Sequence, residues 1–187
     1  MTVAIIGLGL IGGSVGLRLK KSGMADHIIG IDKNEANCAK ALELGLISEV
    51  VSLLEGVKKS DVIVIAIPVD QITVLLPQIL ENIKSDAVVV DRMAFVATHP
   101  IAGTENSGPE AAFDSLFQNK TGILCDVEKS SPKAAQTARE LYLALGMKII
   151  EMGSQAHDLH IAYVSHLSHI SSFVLGQTVL EIEKDEK

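Results

Sequence analysis

The chain opens on a short β-branched apolar run, Thr2–Ile6, that passes directly into glycine-rich sequence. From Leu10 to Lys21 the apolar residues Ile11, Val15 and Leu19 recur at helical spacing, and Gly23 supplies a stop. A second apolar run, Ile28–Ile31, closes on Asp32, after which Asn34 can cap a helix carrying Ala36, Ala39, Ala41 and Leu42 and ending at Gly45. Asp61–Pro68 reads DVIVIAIP, the continuous apolar run expected of a strand buried on both faces of a parallel sheet. Gln71–Ile83 reads as helix, and Ala87–Val90 and Ala94–Thr98 as two further strands. Gly122–Cys125 is then a strand, Ser131-Pro132 starts a helix that runs to Gly146, and Lys148–Met152 is another strand. From Ser154 to about Lys184 the sequence is helix-compatible and free of proline. Strands alternating with helices imply right-handed βαβ units, and so an α/β fold of the Rossmann type: a doubly wound, mostly parallel sheet over residues 1–153, followed by a helical segment, 154–187.

Composition narrows the classes of function. Of 187 residues, 48% are hydrophobic and 21% charged, an ordinary globular balance, while aromatics are 3% and tryptophan is absent, so the core must be aliphatic. A net charge of −7, with no cluster of Lys or Arg, argues against a nucleic-acid partner. The apolar runs fall far short of the roughly 20 residues of a membrane span, and no basic leader precedes Thr2–Ile6, so a cytoplasmic protein without a membrane partner is expected. Cys38 and Cys125 lie in apolar surroundings without ligand spacing and read as small core residues.

Chemistry first appears at Gly7-Leu8-Gly9-Leu10-Ile11-Gly12, a GxGxxG pattern. The pattern is weak alone, but here a strand precedes it, a helix follows, and an acid ends the second strand 20 positions after Gly12. Gly7 would allow a tight turn, Gly9 a close approach of backbone to a pyrophosphate, and Gly12 close packing of helix on strand. Free N–H groups at the helix start would meet the phosphates. Asp32 would accept from the adenosine ribose hydroxyls and repel a 2′-phosphate, favouring NAD over NADP; Lys33 beside it weakens that preference. Ile67 and Pro68 end the apolar run at the carboxyl edge of the sheet. There they either line the cofactor groove or simply terminate the strand.

A second polar, punctuated stretch follows the Ala94–Thr98 run: Thr98-His99-Pro100-Ile101-Ala102-Gly103-Thr104-Glu105-Asn106-Ser107-Gly108-Pro109. It reads as a loop at the same edge, and His99, directly after a strand, is placed to be a general base or a hydrogen-bond acceptor. A solitary histidine at a strand end is more often structural, but its company in this loop shifts the balance.

HPIAGTENSGPEAAF resembles the substrate loop of prephenate dehydrogenases, the tyrosine-pathway enzymes. AIIGLGLIGGSVGLRLK is similar to that family's opening. His157-Asp158-Leu159 and Ser165-His166-Leu167-Ser168-His169 are similar to its HD…SHLPH helix, with Ser168 in place of the usual proline. The resemblance implies oxidative decarboxylation of prephenate to hydroxyphenylpyruvate with NAD. His99 matches the histidine that binds the ring hydroxyl and takes its proton. Glu105 matches a loop acid, placed in the family near Asp158 or the substrate, and His169 a substrate-side histidine; Glu105 and Asp158 could equally be surface groups. Arogenate, the amino analogue, is the close alternative substrate, and a non-catalytic NAD-sensing module the alternative of another class. His157, His160, His166 and His169 sit at chelating intervals but lack a completing carboxylate or cysteine, so no metal is expected.

Two features depart from the family. Only Arg92 and Met93 separate the runs at Ala87–Val90 and Ala94–Thr98, too few for a crossover between parallel strands. A segment omitted between Asp91 and Arg92 would explain this, as would a tight antiparallel hairpin; the family's serine of that region has no counterpart. The resemblance also implies that residues 154–187 begin an all-helical C-terminal domain that builds a homodimer and supplies an arginine for the substrate carboxylates. No arginine follows Arg139.

Overall fold

The computed structural model describes residues 1–83, 96–167, 170–175 and 177. The chain divides into two compact units, Met1–Glu151 and Met152–Lys187.

The first unit is built on β1 (Thr2–Ile6), α1 (Leu10–Ser22), β2 (His27–Ile31), α2 (Glu35–Glu43), β3 (Glu49–Val50), α3 (Leu53–Lys59), β4 (Val62–Ile65) and α4 (Val69–Asn82). Its four strands pair in the order β3-β2-β1-β4. All three pairings are parallel, with Ile6 opposite Ile31 on one side and Ile65 on the other. Crossover helices cover both faces of the parallel sheet, which is why the side chains of β1 divide between two cores. Val3 and Ile5 pack with Val15 and Leu19 of α1 on one face. Ala4 and Ile6 pack with Val57 of α3 and Ile79 of α4 on the other. This is the doubly wound α/β arrangement expected from the alternation.

The local signals hold residue by residue. Gly23 ends α1 in the left-handed conformation at φ +72°, Asn34 Oδ1 accepts the Ala36 amide, and Ser131 Oγ accepts the Ala134 amide. Cys38 and Cys125 are buried free thiols. The short β3 and α3 fall in a stretch, 46–60, where the hydrophobic pattern predicted nothing. Their signal was Ser52-Leu53-Leu54-Glu55, a capping-box spacing, and Ser52 Oγ does accept the Glu55 amide at 3.3 Å.

The remainder of the first unit contains β5 (Ala97–Pro100), a 3₁₀ turn at Pro109–Ala111, β6 (Thr121–Cys125), α5 (Pro132–Ala144) and β7 (Lys148–Met152), with strand order β5-β6-β7. Two expectations change here. The strand lies at Ala97–Pro100 rather than Ala94–Thr98, so His99 sits inside it and not in a loop beyond it. β5 also runs antiparallel to β6, His99 facing Ile123 and Pro100 facing Gly122. Residues 101–120 connect them without a crossover helix, so a parallel return is not available. The strand expected at Ala87–Val90 and the proposed break between Asp91 and Arg92 lie outside the described residues.

The second unit contains α6 (Ser154–Ile161), which continues into a π-helical turn at Ala162–His166. Among the described residues, no helix is long and apolar enough to cross a membrane.

Candidate functional site

The ends of β1, β2 and β4 converge on a cavity of about 580 Å³ at the carboxyl edge of the parallel sheet. Its walls include Gly7, Gly9, Asp32, Lys33, Ile67 and Pro68, six of the residues singled out for a dinucleotide. Open α/β sheets place ligands at this edge, where the strand order reverses.

The glycine turn has the geometry its spacing requires. Gly7 adopts φ +95°, and a Cβ there would lie 2.4 Å from the Ala66 carbonyl oxygen. A Cβ on Gly12 would lie 1.8 Å from the Gly7 carbonyl oxygen, so α1 can start this close to β1 only without a side chain. Around Gly9 the opposite holds: a Cβ would meet nothing within 4 Å, because this backbone borders open space. No side chain caps the start of α1 and its first turn holds no acid, which leaves the positive end of the helix facing the cavity edge. Leu8 and Leu10 differ from the glycines, since their side chains are buried in the core and leave only backbone to face a ligand, while Ile11 is partly buried against the same core.

Asp32 is tied to that turn. Its Oδ2 accepts the Leu8 amide at 2.8 Å and its Oδ1 accepts the Asn34 amide at 2.8 Å, with Asn37 Nδ2 a longer 3.4 Å from Oδ2. One carboxylate therefore joins the end of β2, the glycine turn and the start of α2. Below it, the Cys38 thiol donates to the Asp32 carbonyl at 3.4 Å, and burial pushes that thiol above its ordinary range. Lys33 is exposed and its Nζ donates to Gln71 Oε1 of α4 at 3.3 Å, beside the cavity. The strand before Pro68 ends at Ile65, three residues earlier than the sequence suggested, and Pro68 instead precedes the first turn of α4 while also lining the cavity. Asn37, Gln71, Ser52 and Leu53 also line the cavity and escaped the sequence reading: Asn37 and Gln71 look like ordinary helix surface, and Ser52 and Leu53 fall in the stretch where the hydrophobic pattern predicted nothing.

His99 is half-buried on β5. On the alternate face of the strand, its neighbour Thr98 hydrogen-bonds the hydroxyl of Tyr142 from α5, whose phenol is pushed far above its ordinary range by burial despite that bond. Glu105 is exposed in the following loop, with the Asn106 amide group 3.5 Å away. The loop returns to α1: the Phe113 amide donates to Ser14 Oγ at 3.0 Å, and Ser14 is fully buried. Ala102, Ala111 and Ala112 from this loop pack on the same core as Leu8 and Leu10 of the glycine turn. Ser14 was missed because it follows the last glycine of the pattern and looks like filler in a helix.

Asp158 belongs to the second unit, 81% exposed, and pairs there with His157 Nδ1 at 2.9 Å. His169 lies outside the described residues. Among the described residues no group of three metal-ligating side chains occurs.

Known proteins share both the sequence and the fold of this chain. The family described as prephenate dehydrogenase, nucleotide-binding domain, matches residues 15–151. Prephenate dehydrogenase of Bacillus subtilis (strain 168) is 33% identical over 189 residues, covering 90% of this chain and 51% of that protein. Among solved structures, prephenate dehydrogenase from Aquifex aeolicus in complex with hydroxyphenyl propionate and NAD+ superposes with a TM-score of 0.88 at 30% identity, covering 97% of this chain and 70% of that one. Synechocystis arogenate dehydrogenase superposes with a TM-score of 0.84 at 26% identity, covering 100% and 75%. The chain spans about half the length of the curated relatives it matches. With the family's nucleotide-binding domain matched over most of its length, this chain belongs to the prephenate dehydrogenase family.

Proposed function

We propose that the protein is an NAD-dependent dehydrogenase that oxidises prephenate to hydroxyphenylpyruvate in tyrosine biosynthesis, with arogenate as the alternative substrate. In this reading residues 1–153 hold the dinucleotide and 154–187 begin a helical, homodimer-forming domain of a cytoplasmic enzyme. The observation that carries it is the joint between the two sequence signatures. The HPIAGTE loop leaves β5 and is rooted on α1, the helix that starts at the glycine turn.

The cavity fits the cofactor on its own terms. Gly9 leaves room for a pyrophosphate, the uncapped start of α1 favours its charge, and Asp32, held by two backbone amides, presents a fixed acceptor to ribose hydroxyls. NAD bound there would supply the hydride acceptor. The same carboxylate disfavours a 2′-phosphate. His99 would hold the substrate's ring hydroxyl and take its proton as the carbon beneath loses hydride and gains carbonyl character. The substrate's carboxylate leaves as CO2, and its bonding pair completes the aromatic ring. Glu105, Asp158 and His169 would stand on the substrate side.

His99→Asn in the intact protein tests this. NADH formation with prephenate should fall by roughly 10²–10⁴-fold, the range for removal of a general base, while NAD binding measured by calorimetry stays within about twofold. Turnover of neither prephenate nor arogenate by the wild-type protein would remove the substrate assignment. Full activity of the variant would remove His99 from the chemistry.

A further inference from the structure

Helix α1 does two things within its first five residues. Its start faces the cavity, and Ser14, the fifth residue, receives the root of the loop that follows His99. The contact is specific. Ser14 Oγ is fully buried and accepts the Phe113 amide at 3.0 Å, an amide that follows the 3₁₀ turn Pro109–Ala111. Next to it, Gly13 lets Ala112 sit directly on the helix: a Cβ at Gly13 would lie 2.8 Å from the Ala112 Cβ and 3.0 Å from Leu46 Cδ1. Neither Gly13 nor Ser14 is one of the glycine-pattern positions.

We propose that Gly13 and Ser14 are positioning residues for the substrate loop, fixing its C-terminal root at 112–113 to the same rigid helix that meets the cofactor. The inference rests on the dehydrogenase reading for its substrate but not for its geometry. The other root of the loop is His99's own strand, where the Ile101 amide donates to the Thr121 carbonyl at 2.9 Å. Between the roots, residues 103–107 are exposed and carry Glu105. A loop fastened at both ends to elements that meet the cofactor and the base keeps Glu105 within a narrow range of positions over the substrate. Freeing one root widens that range and leaves the glycine turn, and so the dinucleotide, where it was. The cost therefore falls on substrate binding.

Ser14→Ala removes the acceptor and leaves the part-buried Phe113 amide without the bond that holds it to α1. In the intact protein, KM for prephenate should rise roughly tenfold, with kcat changing less and the Kd for NAD unchanged within about twofold. Independently of activity, amide hydrogen exchange across 101–113 should accelerate while that of β1 and β2 does not. Unchanged KM together with unchanged exchange across the loop would overturn the inference. A second pair of variants decides the matter if Ser14→Ala fails to fold. Gly13→Ala should raise KM by the same route. Adding Ala112→Gly, which clears the 2.8 Å collision, should restore both KM and loop exchange. A double variant no better than Gly13→Ala would equally overturn it. A wild-type protein that turns over neither prephenate nor arogenate defeats the dehydrogenase reading instead, and the exchange measurement still decides whether Ser14 holds the loop.

Discussion

Replacing Asp32 by Asn separates what this carboxylate does for the fold from what it would do for a ligand. Oδ2 accepts the part-buried Leu8 amide and Oδ1 accepts the exposed Asn34 amide, each at 2.8 Å. A carboxamide keeps one acceptor oxygen, so in either orientation one of the two backbone amides meets an NH2 group. The cheaper orientation leaves the oxygen to Leu8 and lets water serve Asn34. A lost bond to a group that water can reach costs about 1 kcal/mol, the low end of the range for an unsatisfied donor. For a chain of this length that lowers the melting temperature by roughly 2–4 °C. Ligand binding suffers more, because hydrogen bonds to a charged acceptor contribute about 1.5–3 kcal/mol each, and the ribose would lose at least one. Titration calorimetry on the intact protein should therefore show NAD bound at least roughly tenfold more weakly, and the ratio of NADP to NAD affinity shifted toward NADP. An Asp32→Asn protein that binds NAD with wild-type affinity would refute the ribose assignment. One that melts at the wild-type temperature would refute the shared-acceptor account of the turn.

Two further outcomes follow from packing and charge. Gly122→Ala places a Cβ 2.1 Å from Cδ1 of the buried Tyr142 ring, so overpacking should cost about 1–3 kcal/mol; Tyr142→Leu in the same chain should recover part of the melting temperature, and full stability of the single variant would contradict the contact. Glu49, Asp114 and Glu151 are held below the usual carboxylate range chiefly by hydrogen bonds from His27, Lys21 and Arg139 respectively. Depressed folded values mean stabilisation that is present above the unfolded carboxylate range and lost as pH falls through the folded values. The urea midpoint should thus decline below about pH 4, less steeply in high salt because the pairs are exposed, and a midpoint flat down to pH 2.5 would count against them.

Much of the parallel half was legible because its determinants are local. The Asn34 side chain accepts an amide two residues on, and the left-handed Gly23 donates to a carbonyl three residues back; such signals survive in any tertiary context, as the Ser131 cap outside that half also does. β5 was misplaced for a non-local reason. Pro100 lacks the N–H of a ladder residue, and its presence argued that the strand had already ended. The strand tolerates it because β5 is paired only with β6 in its described sheet, with Gly122 opposite the proline. No pattern within the window around His99 reports that pairing. Ser14 was illegible in the same way, since its partner Phe113 is 99 positions distant.

With the dinucleotide placed as proposed, the choice between NAD and NADP would turn on two adjacent side chains of opposite charge, Asp32 and Lys33. Lys33 is exposed, and its bond to Gln71 at 3.3 Å is the kind of solvent-facing contact that contributes well under about 1 kcal/mol. It can leave Gln71 for a phosphate at little cost, but it can also stay in water at little cost, so it supplies weak discrimination either way. Asp32 cannot move aside. Turning its carboxylate away would release the Leu8 and Asn34 amides together and loosen the glycine turn on which any dinucleotide depends. A 2′-phosphate would therefore meet a fixed negative charge and a mobile positive one. On the proposed reading the fixed charge would prevail, because its repulsion is present in every conformation that retains the site, whereas the attraction of Lys33 must first overcome the entropy of ordering a long side chain.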